Sequence, residues 1–274
     1  MDERELRLKS IQYRRTVLEI IKLANAGHTG GSLSCVDILN VLYNDVMNVT
    51  PANFHDPDHD RYVQSKGHSV EALFTVLADK GFYPRSDLDT ISRYGSHFIG
   101  HPTRKVPGVE QNTGALGHGL SVAVGMAIAA KKDKRSFRVF TLLGDGELAE
   151  GSSWEALMTA AHYQLDNLTV IVDRNHFQIT GNTEAVNGLE PLAAKFSAFG
   201  CAVTEIDGND IGALVRTFDR LPFTVGKPSL ILAHTVKGKG ISFMEAGSKW
   251  HHRVPTDSEF AAALAELAQA EVEA

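Results

Sequence analysis

Between residues 137 and 235 the chain alternates short apolar runs with helix-patterned stretches, and this alternation limits the fold more than any other feature of the sequence. FRVFTLL (137–143), LTVIVD (168–173), CAVTEID (201–207) and SLILAHT (229–235) carry the branched and aromatic residues typical of strands. Helical stretches near 151–164, 190–199 and 209–221 separate them. Strands joined through helices pair in parallel, so the expected fold is α/β, an open, mostly parallel sheet with helices on both faces. Such sheets bind ligands beyond the carboxyl ends of their strands, which makes the residues just after each run the first place to look for function.

The first half of the chain reads as helical. Leu6, Ile11, Val17, Leu18, Ile21 and Leu23 trace one face of a helix over 3–25 that stops near Gly27. GHTGGS is expected to be a loop, followed by a helix over roughly 34–46 capped by Ser34 and another over roughly 69–80 after the turn SKGH. Residues 94–116 look like loop, LSVAVGMAIAA like a buried helix rich in small side chains, and the residues from Ser258 like an Ala/Glu-rich helix. With no repeat or low-complexity linker, 274 residues at 43% hydrophobic content suit one domain over 1–274, with a helical segment at 1–26 and a terminal helix at about 256–273.

Composition narrows function by exclusion. The 27 basic and 33 acidic residues are interspersed and sum to −6, which offers nucleic acid no basic footprint. Cys35 and Cys201 are the only cysteines and lie far apart, so neither a disulfide framework nor a thiolate zinc site is indicated. The charged start MDERELRLKS is no secretory leader, and no apolar run reaches the roughly eighteen residues of a membrane span. A cytoplasmic protein without nucleic-acid or membrane partners is expected.

The run FRVFTLL leads directly into Gly144, Asp145, Gly146 and Glu147, placing a carboxylate between two glycines at the edge where ligands bind. Glycines admit a phosphate close to the backbone, and amides at the start of the next helix favour its charge. LTVIVD leads to Asn175, whose amide oxygen would lie beside Asp145 on a neighbouring strand. With the main-chain carbonyl of Phe177, these hard oxygens suit magnesium, which completes its shell with phosphate oxygens and water. GDG alone equally describes an ordinary strand-to-helix turn.

The combination is more specific. AGHTGGSLS (26–34), SKGH (65–68), GHP (100–102), TGALGHGLSVAVGMA (113–127), GDGELAEGSSWEA (144–156) and FQITGNT (177–183) resemble, in order, the N-terminal domain of transketolase, which binds thiamine diphosphate. The resemblance spans nearly the whole chain. It implies magnesium, with calcium or manganese as possible substitutes, held by Asp145, Asn175 and the Phe177 carbonyl. It places His68, Gly114, Gly144, Gly146, Glu147, Glu150, Asn175 and His251 at the cofactor, with Leu116 and Ile179 against the thiazolium ring. His28 and His101, together with His68 and His251, would serve catalysis by moving protons on substrate hydroxyls, a task suited to imidazole at neutral pH.

Two positions depart from the family pattern. After His251, where relatives usually carry glycine, this chain has His252 and then Arg253; and His118 replaces a common glutamine. The remaining histidines His55, His59, His97, His162 and His234 have no motif context and are read as structural.

The resemblance also implies a missing half. Transketolases take the glutamate that activates the aminopyrimidine from a second, pyrimidine-binding domain, for which the sequence leaves no room. The expectation is therefore the N-terminal subunit of a split transketolase, moving a two-carbon ketol unit from a ketose, phosphorylated or otherwise anionic, to an aldose, within an α2β2 complex with a C-terminal subunit. Alternatives are a subunit of another thiamine diphosphate enzyme, of the 2-oxo acid dehydrogenase alpha or deoxyxylulose phosphate synthase type, and a noncatalytic regulatory subunit. The reading as a Rossmann nucleotide binder fits less well, because GALGHG does not follow a strand with a GxGxxG turn.

Overall fold

Branched apolar runs with a two-residue repeat bury both faces of a strand, and the computed structural model, which describes every residue from 1 to 274 except Ala246, shows them doing so. β1 (Arg61–Gln64), β2 (Val139–Gly144) and β3 (Leu168–Arg174) form one half of a five-stranded sheet. A separate hairpin follows, with β4 (Phe177–Gln178) antiparallel to β5 (Gly181–Asn182). β6 (Ala202–Asp207) and β7 (Ser229–His234) complete the sheet, whose order is β1-β2-β3-β7-β6 with every neighbouring pair parallel. The register pairs Gly144 with Asp173 and Asp173 with Ala233, so the carboxyl ends of the three central strands lie level.

Ten helices surround the sheet among the described residues: α1 (Glu3–Ala24), α2 (Thr29–Ser34), α3 (Val36–Val41), α4 (Val70–Asp79), α5 (His118–Lys132), α6 (Gly151–His162), α7 (Thr183–Val186), α8 (Leu192–Ala198), α9 (Ile211–Phe218) and α10 (Asp257–Glu273). Alternate strand residues face different cores. Phe140, Leu142, Ile171 and Ile231 join α1, α3, α4, α9 and α10. Val139, Leu143, Val170, Val172, Leu230 and Leu232 join α5, α6 and α8. The expected parallel sheet covered on both faces is therefore the observed one.

Several local expectations need correction. GHTGGS is no loop beyond His28: residues 29–34 form α2, wholly buried, because its small side chains let the backbone pack closely. Ser34 ends that helix and caps nothing; its hydroxyl donates instead to Asp173 (2.6 Å), and α3 starts beyond Cys35 and continues as a π-turn over Leu42–Val46. β1 went unforeseen, since four residues mixing Arg, Tyr, Val and Gln carry too little pattern. α5 is buried along Leu120, Ala123, Val124, Ala127 and Ala130 only, leaving its other side open. The terminal helix begins at Asp257, where Thr256 and Glu259 form a capping box.

Charge also holds the carboxyl edge together. Lys66, after β1, and Asp173, in β3, form an ion pair whose side chains are about 1% and 0% exposed. Lys66 also donates to the Gly31 carbonyl (3.0 Å), while Asp173 accepts from Ser34 and Thr235. Burial opposes both charges, yet mutual attraction prevails, raising the Lys66 pKa and lowering that of Asp173. Removing one member of such a pair strands the other in a medium that cannot solvate it. Lys66→Met is therefore expected to reduce the free energy of unfolding in urea by about 3–5 kcal/mol, with the double variant Lys66→Met/Asp173→Leu recovering part of that loss.

Candidate active site

Beyond the level strand ends lies a cavity of about 330 Å³. β1 delivers Lys66 and His68 to it, β2 delivers Gly144, Asp145 and Gly146, β3 delivers Asn175, and the chain after β7 delivers Lys237. The hairpin adds Phe177, Gln178 and Ile179, the start of α2 adds His28 and Gly31, and the turn at 248–250 leads to His251. Gly114, Leu116 and Glu147 complete the wall. Of the residues expected at the site, all but His101 and Glu150 line this cavity.

Asp145 is 1% exposed and engaged on both oxygens. One accepts from the Gly146 amide (2.8 Å), the other from the His176 amide (2.6 Å) and the Arg174 guanidinium (3.1 Å). Burial first, and Asp173 second, raise its pKa to about 6 against the pull of Arg174. Asn175 lines the same wall, its side-chain oxygen accepting from the Phe177 amide (3.1 Å). Carboxylate and amide oxygens carry further lone pairs, so these contacts leave acceptor capacity at both.

Glu147 differs in kind. It is 2% exposed, and its oxygens accept from Ser65 (2.5 Å), the Gly117 amide (2.8 Å) and the Gly144 amide (3.0 Å). Its carboxylate ties three loops together and presents no free oxygen edge comparable to that of Asp145. Glu150 is exposed at the N-terminus of α6, outside the cavity. His101 is exposed and packs against Gly114, where a Cβ would come within 2.9 Å of its ring. Gly114 has φ of +144°, so both its backbone and this contact call for glycine. Gly146 is constrained by space, since a Cβ there would lie 2.8 Å from that of Gln178.

Four imidazoles form a connected cluster around His28. Its ring centroid lies 5.1 Å from that of His68, 5.6 Å from that of His251 and 4.7 Å from that of His252. His68 and His251 stack at 5.6 Å. Burial, followed by neighbouring positive charges, pushes His28 down to about 4 and His251 to about 3, with His68 lower still. At neutral pH these rings are uncharged, able to donate from one nitrogen and accept at the other. Glu71, which is 2% exposed, holds the cluster's entry loop by accepting from the His28 amide (3.3 Å) and Ser32 (2.7 Å). Ile179 is 74% exposed on the hairpin and Leu116 half-buried, so neither is ordinary core packing.

Sequence reading missed Lys66, Glu71, Asp173, Arg174 and Lys237. Lys237 is the most informative. It is 2% exposed, donates to His251 Nδ1 (2.8 Å), and has no carboxylate within ion-pair distance among the described residues. Burial first, and Lys66 second, lower its pKa to about 8. A buried ammonium without a counter-charge, facing a cavity surfaced by glycine backbone, fits an anionic ligand such as a diphosphate. The oxygen donors Asp145 and Asn175 on the opposite wall fit a hard divalent cation bound with it. The available signal was position: Lys66 and Lys237 each follow a strand end and precede a glycine.

The chain matches the family model "Transketolase, thiamine diphosphate binding domain" over residues 7–268. It is 48% identical to one of the separately encoded subunits of the apulose-4-phosphate transketolase of Phocaeicola vulgatus, covering 98% of this chain and 96% of that protein. It is 43% identical to the 6-deoxy-6-sulfo-D-fructose transketolase subunit SqwG of a Clostridium species, covering 93% of each. The crystal structure of transketolase from Campylobacter jejuni superposes with a TM-score of 0.90 at 29% identity, covering 98% of this chain but 45% of that one. The chain thus spans less than half the length of that solved transketolase while matching nearly all of the separate subunits. With the ordered motifs, the sheet and this cavity in agreement, the chain belongs to the transketolase family and corresponds to its thiamine diphosphate-binding domain.

Proposed function

We propose that the chain is the N-terminal subunit of a split transketolase, binding thiamine diphosphate with magnesium and moving a two-carbon ketol unit from an anionic ketose to an aldose. The observation that carries this reading is the pairing, across one cavity, of an uncompensated buried ammonium at Lys237 with the oxygen donors Asp145 and Asn175. Asp145, Asn175 and the Phe177 carbonyl would hold magnesium, for which calcium or manganese could substitute. The Gly146 amide, Lys237, His68 and His251 would take the diphosphate oxygens. Leu116 and the exposed Ile179 offer apolar surface to the thiazolium ring. Glu147 would act through the loops it ties, keeping Gly144 and Gly117 in place. The bound cofactor supplies the carbon centre that carries the two-carbon unit. His28 and His101, uncharged and at the mouth, would hold and exchange protons of substrate hydroxyls.

A separate C-terminal subunit would supply the pyrimidine-binding domain and the activating glutamate, in an α2β2 assembly. Exposed Glu150 and Ile179 would face it. Both similar subunits are named for anionic sugars, one a phosphate and one a sulfonate, which favours ketose handling over 2-oxo acid chemistry.

Two measurements test the reading. In the complex with its partner subunit, Asp145→Ala is expected to weaken magnesium-dependent uptake of thiamine diphosphate at least about a hundredfold by calorimetry, since the direct ligand outweighs the 10–100-fold effects of outer-shell groups. Unchanged uptake would overturn the metal assignment. The second follows from Lys237, which in the free protein loses its proton around pH 8. The diphosphate binds the ammonium form and raises its pKa, so binding above that pH takes up a proton. Affinity is expected to fall toward about tenfold per pH unit beyond the free-state pKa, and Lys237→Gln to flatten that slope.

A further inference from the structure

The segment Trp250–Arg253 is clamped at three of its four side chains. Trp250 is 2% exposed and donates its indole N–H to the Phe243 carbonyl (3.2 Å). His251 is held by Lys237 at 2.8 Å and stacks on His68. Arg253 lies over the Trp250 ring at 4.2 Å and pairs with Glu259 at 2.8 Å, while its carbonyl accepts from Thr29 (2.6 Å). His252 alone is exposed, and the clamps on either side fix the direction of its ring. That ring meets His28 edge-on with centroids 4.7 Å apart, nearer than His68 or His251. His252 is not among the residues lining the cavity, so it stands on the outer side of His28, at the mouth.

We propose that His252 is a specificity-determining residue, narrowing the mouth beside His28 and selecting short or compact sugars over extended ones. This rests on the ketol-transfer reading above. A sugar chain that leaves the cavity past His28 must run alongside the His252 ring. The imidazole restricts the width available to that chain and offers a hydrogen-bonding nitrogen to a hydroxyl or anionic group at its far end. Exclusion of this kind acts on substrate fit and leaves the diphosphate, on the inner side of His28, undisturbed.

The test compares kcat/KM for a three-carbon and a five-carbon aldose phosphate acceptor in the complex with the partner subunit. His252→Gly is expected to raise the five-carbon to three-carbon ratio about tenfold, the scale of discrimination that a single steric or packing contact provides, chiefly through KM. His252→Gln, which keeps comparable bulk and a polar tip, should hold the wild-type ratio. Thiamine diphosphate affinity should stay within about twofold in both variants, because neither touches an assigned cofactor contact. A ratio unmoved by His252→Gly, in a complex that binds cofactor and turns over normally, overturns the selectivity claim while sparing the functional reading. A wild-type complex that binds cofactor yet transfers no ketol unit overturns the functional reading, and the selectivity claim falls with it.

Discussion

The structure depends on a charge balance at one edge of a sheet buried on both faces. Parallel strands without a solvated face must carry apolar residues along their length, so polar groups collect where the strands end. Here that edge gathers Lys66, Asp145, Asp173, Arg174 and Lys237, all nearly inaccessible to water. Two ion pairs neutralise four of them, Lys66 with Asp173 and Arg174 with Asp145. Lys237 is left over. An isolated buried ammonium is unfavourable, and its lowered pKa of about 8 expresses that cost. The fold tolerates the imbalance at the one place where an incoming anion would relieve it.

The two ion pairs differ in what surrounds them. Asp173 is closed in by Lys66, Ser34 and Thr235, which saturate it and fasten α2 and β7 to the centre of the sheet. Asp145 shares its arginine with Thr183, Glu184 and Glu190, so part of the guanidinium is directed to the segment after the hairpin. The contrast separates a structural carboxylate from one whose charge is only partly answered by protein. The raised pKa of Asp145 and the lowered pKa of Asp173 follow from that difference, although the two lie on adjacent strands.

Much of this arrangement was legible in the sequence where periodicity or glycine spacing carried it. The four long strands, the two-faced helical cover and the GDG edge followed from runs of branched residues ending at small ones. β1 escaped because its burial comes from neighbours: Tyr62 and Val63 pack from opposite faces, while Gln64 is buried through hydrogen bonds to Ser69. α2 escaped because Gly30 and Gly31 signal loop by propensity, whereas tertiary packing against Lys237 and His68 decides the matter. The histidines stood out by number and by motif. The lysines did not, since nothing local separates a buried lysine from the many solvated ones. Glu147 was visible as an acid after a metal loop, but its use as a tie between Ser65, Gly117 and Gly144 depends on three segments that are distant in sequence.

The same geometry bears on why such a domain needs a second surface. The cavity encloses the polar groups suited to a diphosphate, while the apolar residue best placed for the rest of a cofactor, Ile179, remains 74% exposed. A cofactor with an anionic tail and an aromatic body would be gripped here at its tail, its body resting on one wall. Binding sites ordinarily bury most of a ligand's surface, so the opposite wall must come from outside this site. On the split-enzyme reading the cofactor lies in the contact between subunits, and binding it and closing the interface become coupled steps. Either one adds surface that the other requires.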